Sequence, residues 1–199
     1  MSTLKLTKNE LRSQQTRLKE LQRYLPTLQL KKAMLQFEVN NVQTELLMLE
    51  EEMLQRKKMA EEVSGFLLEK VNCDLFAYAE VQHVKKHYEN IAGVEIPIFD
   101  SVFFRDTSYF LIDTPIWTEG AVERLRQLII AREKIHIVQE KRRALEKELR
   151  EVSIRVNLFE KILIPRTDAN IRKIRIFLGD QQLSAVAQAK IAKAKKKDR

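Results

Sequence analysis

Apolar residues recur along the first third of the chain at alternating spacings of three and four. With heptad position a at residue 11 and d at residue 14, fourteen of the eighteen a and d positions through residue 70 are apolar. A globular helix rarely holds one phase over more than about 50 residues, so the pattern predicts a coiled-coil helix. The residues at these positions are Leu11, Gln14, Leu18, Leu21, Leu25, Leu28, Lys32, Leu35, Val39, Val42, Leu46, Leu49, Met53, Arg56, Ala60, Val63, Leu67 and Lys70.

This first helix is predicted to run over residues 8–92. Thr7 and Glu10 fit a capping box, in which the threonine oxygen accepts from the third amide and the glutamate reaches back. Pro26 lies inside the seam, where its missing amide and a steric clash predict a kink. At 1.5 Å per residue, ~80 residues of helix would span roughly 120 Å.

A second heptad run predicts a helix over residues 119–192, with Thr118 as its N-cap. Eleven of its thirteen a and d positions are apolar. Two runs of similar length in one chain are most simply paired as an antiparallel hairpin, which predicts a mainly α-helical, single elongated domain over residues 1–199. The second set is Ala121, Arg124, Leu128, Ala131, Ile135, Val138, Arg142, Leu145, Leu149, Val152, Val156, Phe159 and Leu163.

The connector at residues 93–117 is rich in Val, Ile, Phe, Tyr and Trp, in contrast to the heptad runs. Its pattern predicts two short strands, 94–104 and 109–116, separated by a polar turn at residues 105–108. Pro97 and Pro115 confine these strands to sheet edges, because proline cannot donate to a ladder. A two-stranded hairpin is marginal alone, so it should lie against the helices or against a partner.

The stretch RVNLFEKILIPR, residues 155–166, interrupts the second heptad run. The next seam positions should be 166, 170 and 173, which hold Arg166, Asn170 and Lys173. The apolar stripe resumes one residue later, at Ile171, Ile174 and Leu178. Pro165 therefore marks a one-residue skip, which predicts local unwinding or a π-bulge that turns Arg166 outward.

Composition agrees with long helices, since charged residues make up 32% of the chain and aromatic residues 7%. The net charge is +8, and the last ten residues, KIAKAKKKDR, supply +5 of it. This predicts a basic tail at residues 193–199, which either docks on an acidic or phosphate-bearing surface or is a frayed, solvated terminus. No apolar run approaches 18 residues and no signal peptide begins the chain, so a soluble chain is expected.

No catalytic, cofactor-binding or metal-binding residues are predicted. No pair among the four glycines has the spacing of a P-loop. His83 and His87 stand at i and i+4 on the predicted helix, but two lysines lie between them and surface histidines are the favoured interpretation. The single cysteine, Cys73, excludes an internal disulfide and is interpreted as a buried structural thiol.

Several segments resemble the D subunit of the V-type and A-type rotary ATPases. LTKNELRSQQTRLKEL is similar to the family's N-terminal entry, LQLKKAML to its lysine-containing block, and AGVEIPIF to its central strand motif. RVNLFEKILIPR, followed by IRKIRIFL and a lysine-rich end, resembles the family's C-terminal signature and is the most specific match. The signature residues carried over are Lys31, Lys32, Asn157, Pro165 and Arg166.

The resemblance implies a non-catalytic rotor shaft in the central stalk of a rotary ATPase, cytoplasmic and peripheral to a membrane complex. The implied partners are the catalytic and regulatory head subunits (A and B), the smaller F subunit, and a C- or d-type socket subunit over the ion-carrying ring. No cofactor, nucleic acid or membrane insertion is implied. Candidate partner contacts are Val94, Ile96, Pro97, Ile98, Lys190, Lys193, Lys195, Lys196 and Lys197.

Two other functions compete with the shaft. A coiled-coil scaffold or tether would show parallel association between chains. A nucleic-acid-associated protein would use the lysine-rich end, and its binding would depend steeply on salt. The second of these is disfavoured because no aromatic residues are interleaved with the basic run.

Overall fold

The computed structural model describes residues 4–61, 75–105, 115 and 117–197. Long helices at both ends of the chain flank a small antiparallel β-hairpin, which confirms the predicted fold class. The elements in chain order are α1 Lys8–Glu61, α2 Leu75–Tyr78, β1 Val81–Ile91, β2 Val94–Phe104, α3 Trp117–Leu158, a π-helical turn Phe159–Leu163, and α4 Ile164–Lys197.

Helix α1 begins where the sequence predicts it. The amide of Glu10 donates to Oγ1 of Thr7 at 3.3 Å, and the amide of Leu11 donates to the Thr7 carbonyl. The reciprocal half of the capping box is replaced, because the Glu10 side chain accepts from Nε2 of Gln14 at 2.8 Å. The helix continues through Pro26, and the predicted kink there stays a prediction.

The chain packs as two units. The terminal unit combines Met1–Lys32 with Glu151–Arg199, and the central unit comprises Ala33–Arg150. In the central unit, Arg56 donates to the carbonyl of Gln127 at 3.1 Å, and Lys141 pairs with Glu45 at 3.1 Å. Residue numbers rise along α3 as they fall along α1, so the two helices run antiparallel there.

The core of the central unit includes predicted seam positions from both helices. Leu35 of α1 and Leu145 of α3 have no exposed surface. Strand β2 adds Ile96, which is also fully buried. The other buried apolar side chains of this unit are Val42, Leu46, Ala79, Val122, Ala131, Ile135, Ile137 and Val138.

The helices of the terminal unit also run antiparallel. Lys8 shares a cavity with Phe177, whereas Arg17 shares one with Leu163, so neighbours run in opposite directions along α1 and α4. The core of this unit contains Leu21 from α1 and a row from the C-terminal helices, Val152, Val156, Thr167, Ile171 and Ile174.

The first helix does not reach residue 92 as predicted. Residues 81–91 form strand β1, which pairs antiparallel with β2 in the register Ile91↔Val94, and residues 62–74 lie outside the described part of the chain. Ala92 and Gly93 have positive φ angles of 52° and 83°, as the tight two-residue turns of hairpins require. The Asn90 side chain accepts the Gly93 amide at 2.9 Å and stabilises this turn.

Tertiary pairing therefore overrides helix propensity at β1. Its sequence VQHVKKHYENI has polar residues at helical spacing, but its valines, tyrosine and isoleucine also suit a strand once β2 is beside it. The strand predicted at 94–104 is confirmed, and its partner precedes it in the chain. The strand predicted at 109–116 falls mainly outside the described residues.

The second helix begins and ends slightly beyond its predicted limits. Helix α3 starts at Trp117, so Thr118 lies inside the first turn and is not the N-cap. Its hydroxyl is buried and makes no hydrogen bond to the described residues. At the other end, helix α4 extends to Lys197, so the basic segment predicted as a tail from 193 has a helical backbone through that residue.

Candidate functional surfaces

The skip at RVNLFEKILIPR is a π-helical turn, as the sequence predicts. The amide of Ile164 donates to the carbonyl of Phe159, five residues earlier, and Phe159–Leu163 form the turn. The buried positions beyond it are Thr167, Ile171 and Ile174, each one residue later than an unbroken heptad would place them. The turn thus absorbs one extra residue and keeps the apolar stripe on the helix pair.

This turn also decides which polar side chains reach the surface. Arg166, at the expected seam position, is exposed, whereas Thr167 retains 5% of its surface. The Thr167 hydroxyl donates to the carbonyl of Leu163 at 2.7 Å, which satisfies it inside the seam. Pro165 is the second residue of α4, and proline is tolerated in the first turn of a helix.

The predicted seam residues are mostly shielded from solvent in both units. Each named seam position from 11 to 60 and from 128 to 163 is buried or half-buried, and Arg124 is the exposed exception. Positions 63, 67 and 70 lie outside the described residues. Of the signature residues, Lys31 and Lys32 are half-buried, while Asn157, Pro165 and Arg166 are exposed.

The hairpin packs against the helix pair of the central unit through cationic side chains. Lys86 of β1 pairs with Glu140 of α3 at 2.9 Å. Arg126 donates twice to the carbonyl of Tyr78, at 2.9 and 3.2 Å, and its guanidinium lies 5.1 Å from the ring centre of Phe104. The hydrogen bond that Lys86 donates to the Glu140 carboxylate raises the pKa of Lys86 above its ordinary value.

Strand β2 lies over the groove between the two helices. Pro97, Ile98 and Phe99 line one cavity together with Leu49 of α1 and Ile137 of α3. This fulfils the expectation that the hairpin lies against the helices. The sequence did not indicate these contacts of Arg126 and Lys86, because Tyr78 and Lys86 both fall in the segment predicted as one long helix.

The two histidines of β1 are exposed, as the favoured interpretation expects, but they lie on a strand and not on the predicted helix. His83 stacks on Phe103 with ring centres 5.9 Å apart, and His87 lies 2.7 Å from an Asp100 oxygen and 3.4 Å from a Glu89 oxygen. The Asp100 contact, with Glu89 adding to it, raises the pKa of His87. Helical i, i+4 spacing does not apply on a strand, and the described residues contain no group of three His, Cys, Asp or Glu side chains suited to a metal. Cys73 lies outside those residues.

Four of the predicted partner contacts belong to β2. Ile96 has no exposed surface and Pro97 is buried, so both serve the chain's own core, whereas Val94 and Ile98 are half-buried. Contact between this segment and a partner stays a prediction. At the C-terminus, Lys190 and Lys193 are exposed on α4, and Lys195, Lys196 and Lys197 follow on its last turn.

A row of large apolar side chains on α1 faces away from the seam of the central unit. Met34, Phe37 and Met48 are 48%, 63% and 64% exposed, and their spacings of three and eleven place them on one side of the helix. Contiguous exposed apolar patches mark interaction surfaces, so this row is a candidate contact for a partner. The heptad assignment overlooked this row, since it follows the same period at a different phase.

Across the described ranges, no helix combines the length and the apolar character needed to cross a membrane.

Comparison with known proteins identifies what this chain resembles. The family model described as the D subunit of ATP synthase matches residues 10–194. The D subunit of the V-type ATP synthase of Chlamydia caviae is 43% identical over 199 residues, covering 98% of this chain and 94% of the relative. The D subunit of the Borreliella burgdorferi enzyme is 42% identical over 195 residues, with 98% and 95% covered. That of Chlamydia trachomatis serovar L2 is 40% identical, with 98% and 96% covered.

Proposed function

Because the chain belongs to the D-subunit family of ATP synthases, we propose that it is the non-catalytic rotor shaft of a V-type rotary ATPase. In this role it transmits torque between the head that hydrolyses or makes ATP and the membrane ring that moves ions. The observation that carries the proposal is the antiparallel seam between the N- and C-terminal helices, which both units contain.

A shaft must resist twisting, and packed helices supply that resistance. Fully buried side chains such as Leu35, Leu145, Val152 and Ile174 interlock the helices in each unit. Packing of this density leaves little room for one helix to slide past its neighbour. The π-helical turn keeps the buried row continuous where the repeat changes phase, which supports mechanical continuity within the terminal unit.

A shaft must also present different contacts to its surroundings as it turns. In the central unit the hairpin lies along one side of the helix pair, held by Lys86–Glu140 and by Arg126. Met34, Phe37 and Met48 form a separate apolar row on α1. A turning body changes the state of its neighbours only if its contacts with them depend on orientation, and this uneven outline supplies that dependence.

The exposed charges favour rotation of the shaft, because they make only weak contacts with neighbouring subunits. Many form pairs within one helix, as in Arg155–Glu151 at 3.4 Å and Arg172–Asp168 at 2.8 Å. Exposed pairs of this kind, and similar contacts with a partner, contribute about 0–1 kcal/mol each and are screened by salt. Weak, distributed contacts let a rotor move between orientations without being trapped in one.

We assign partners by chemistry to the surfaces described above. The apolar row at Met34, Phe37 and Met48 is proposed as the contact for the smaller F subunit, because these side chains are large and exposed. The hairpin side is proposed to meet the socket subunit, and the terminal unit to meet the A and B head subunits. With these partners, we propose that the chain lies at the cytoplasmic side of the membrane, peripheral to it.

Single-molecule rotation tests the proposal directly. A bead is attached to the hairpin through Lys85→Cys, an exposed position of β1, in a chain whose natural cysteine carries Cys73→Ser. The chain is assembled with its partner subunits, and the head is fixed to a surface. ATP should drive unidirectional rotation of the bead, and a non-hydrolysable ATP analogue should not.

The competing scaffold gives a different outcome in the same experiment. A coiled-coil tether would support assembly and ATP hydrolysis while the bead stays at a fixed angle. That result would overturn the rotor proposal and leave the family membership intact.

A further inference from the structure

A polar cavity of about 410 Å³ lies beside the π-helical turn, within the terminal unit. Three cationic side chains line it: Lys5 ahead of α1, Arg17 from α1, and Arg166 from α4. All three are exposed, and none pairs with a carboxylate among the residues that the structure describes. Glu10 is the one acidic residue in the lining, so the cavity carries a net charge of about +2.

The floor of the cavity is less polar than its rim. Leu163 is half-buried there, and the hydroxyl of the buried Thr167 already donates to the Leu163 carbonyl. Gln14 donates to Glu10, which fixes both side chains. Asn170 lies half-buried in the same lining, and its side chain makes no hydrogen bond to the described residues. The cavity therefore offers exposed cations above a partly apolar floor.

The π-helical turn is what creates this arrangement. If this stretch were an unbroken α-helix without the π-helical turn, Arg166 would occupy a seam position, where a buried guanidinium would be costly. The turn moves Thr167 into the seam and leaves Arg166 exposed in the cavity lining, which Arg17 of α1 also joins. Turns of this kind are frequently found at functional sites.

We propose that this cavity binds an acidic side chain presented by a neighbouring subunit of the assembled complex. Guanidinium groups bind carboxylates through two parallel hydrogen bonds, and Arg166 and Arg17 provide two such groups. A carboxylate on a methylene stem also covers the apolar floor at Leu163, which a free phosphate leaves exposed. The proposal rests on the proposed function, because the acidic group comes from a partner that surrounds the terminal unit.

Carbodiimide cross-linking of the assembled complex tests the proposal, because this reagent joins an amine to a carboxylate only where the two are in contact. The probes are the natural Lys5 and the variant Arg166→Lys, which introduces an amine at the cavity rim. Lys173 is the matched control, since it is exposed on the same helix and lies outside the cavity. Both probes should couple to an Asp or Glu of another subunit, and Lys173 should couple far less.

A charge-reversal pair provides the second measurement. Arg17→Glu combined with Arg166→Glu should weaken binding of the chain to its partner subunits about tenfold and flatten its salt dependence. The control pair, Lys173→Glu with Arg175→Glu, makes the same change in net charge on exposed positions outside the cavity and should have a smaller effect. Circular dichroism verifies that both variants keep their helices.

The possible outcomes separate this proposal from the one it rests on. If the unaltered chain fails to assemble with partner subunits, the proposed function fails and the acidic contact with it. If the chain assembles but the probes couple only to Glu10 or to nothing, the contact alone is overturned. If inorganic phosphate binds the isolated chain, and the two Arg→Glu changes abolish that binding while assembly is unaffected, the cavity is a small-anion site and the proposal is also overturned.

Discussion

The amide of Ile164 donates its hydrogen bond to the carbonyl of Phe159, one residue further back than an α-helix would use. That single bond marks the place where the chain carries one residue more than its heptad repeat needs. An α-helix turns by about 100° per residue, so an unabsorbed extra residue would rotate the whole buried row of α4 away from α1. The π-helical turn removes this conflict locally and leaves both flanking helices regular.

Deleting the extra residue should therefore be tolerated. Lys161 is an exposed residue of the turn. In a variant that lacks it, the buried row at Thr167, Ile171 and Ile174 falls into the unbroken heptad. Pro165→Ala is included because proline inside a continuous α-helix costs about 3 kcal/mol. The midpoint of thermal unfolding, followed by circular dichroism at 222 nm, should stay within about 3 °C of the unaltered chain.

The matched control deletes Lys147, an exposed residue of α3, in the same Pro165→Ala background. No compensating turn lies nearby, so this deletion shifts the seam between Leu145 and Val152 out of phase. Its midpoint should fall by more than about 5 °C. Equal effects of the two deletions would show that the turn at Phe159–Leu163 does not absorb the skip.

The buried row beyond the turn should carry stability that its exposed neighbours do not. Ile174 has no exposed surface, while Ile176, two residues along the same helix, is 65% exposed. Ile174→Ala should lower the free energy of unfolding by about 2–5 kcal/mol because it leaves a cavity in the seam. Ile176→Ala should change it by less than about 0.5 kcal/mol. Urea denaturation measures both free energies of unfolding. Similar losses in the two variants would contradict the assignment of Ile174, and not Ile176, to the buried seam.

Local periodicity was sufficient to predict the long helices at both ends of the chain and the turn, but not where the first helix ends. The seam positions, the helix start after Thr7 and the one-residue skip at Pro165 follow from the spacing of apolar residues, which packing converts directly into burial. The cavity lined by Arg17 and Arg166 was not predicted, because residues far apart in sequence come together only once the antiparallel register is known.

Strand β1 shows where prediction from the spacing of apolar residues fails. Its residues fit a helix or a strand, and the choice depends on pairing with β2 across a turn that the sequence disguises. Hairpin turns of this kind favour Asn-Gly or Gly-Gly, whereas this chain has Ala92 before Gly93. The sequence feature that indicates a turn here is Gly93, which lies between Ile91 at the end of one apolar-containing segment and Val94 at the start of the next.

This turn should be improvable by substitution. Ala92 has a φ of 52°, a conformation in which its Cβ is strained and which asparagine adopts more readily. Ala92→Asn should therefore stabilise the central unit by about 0.5–1 kcal/mol. Gly93→Ala, at a φ of 83°, should destabilise it by about 1 kcal/mol or more. Chemical denaturation followed by hairpin resonances in NMR spectra measures both, and a destabilising Ala92→Asn would contradict the positive φ.

The contact between His87 and Asp100 should make the hairpin sensitive to pH. Asp100 accepts a hydrogen bond from the His87 ring at 2.7 Å, Glu89 lies on the other side of the ring, and the pKa of His87 is raised. The folded chain therefore binds this proton more tightly than the unfolded chain does. The stabilisation is complete below the unfolded pKa of about 6.5 and is lost as the pH rises through the raised folded value.

An NMR titration of the His87 ring protons measures this directly. The variant Asp100→Asn removes the first cause of the shift and should lower the pKa of His87 towards its ordinary value, with a smaller contribution from Glu89 remaining. The loss of hairpin stability with rising pH should shrink in the same variant. A His87 pKa that Asp100→Asn leaves unchanged would show that the carboxylate does not hold the proton, and that the pH response of the hairpin has another source.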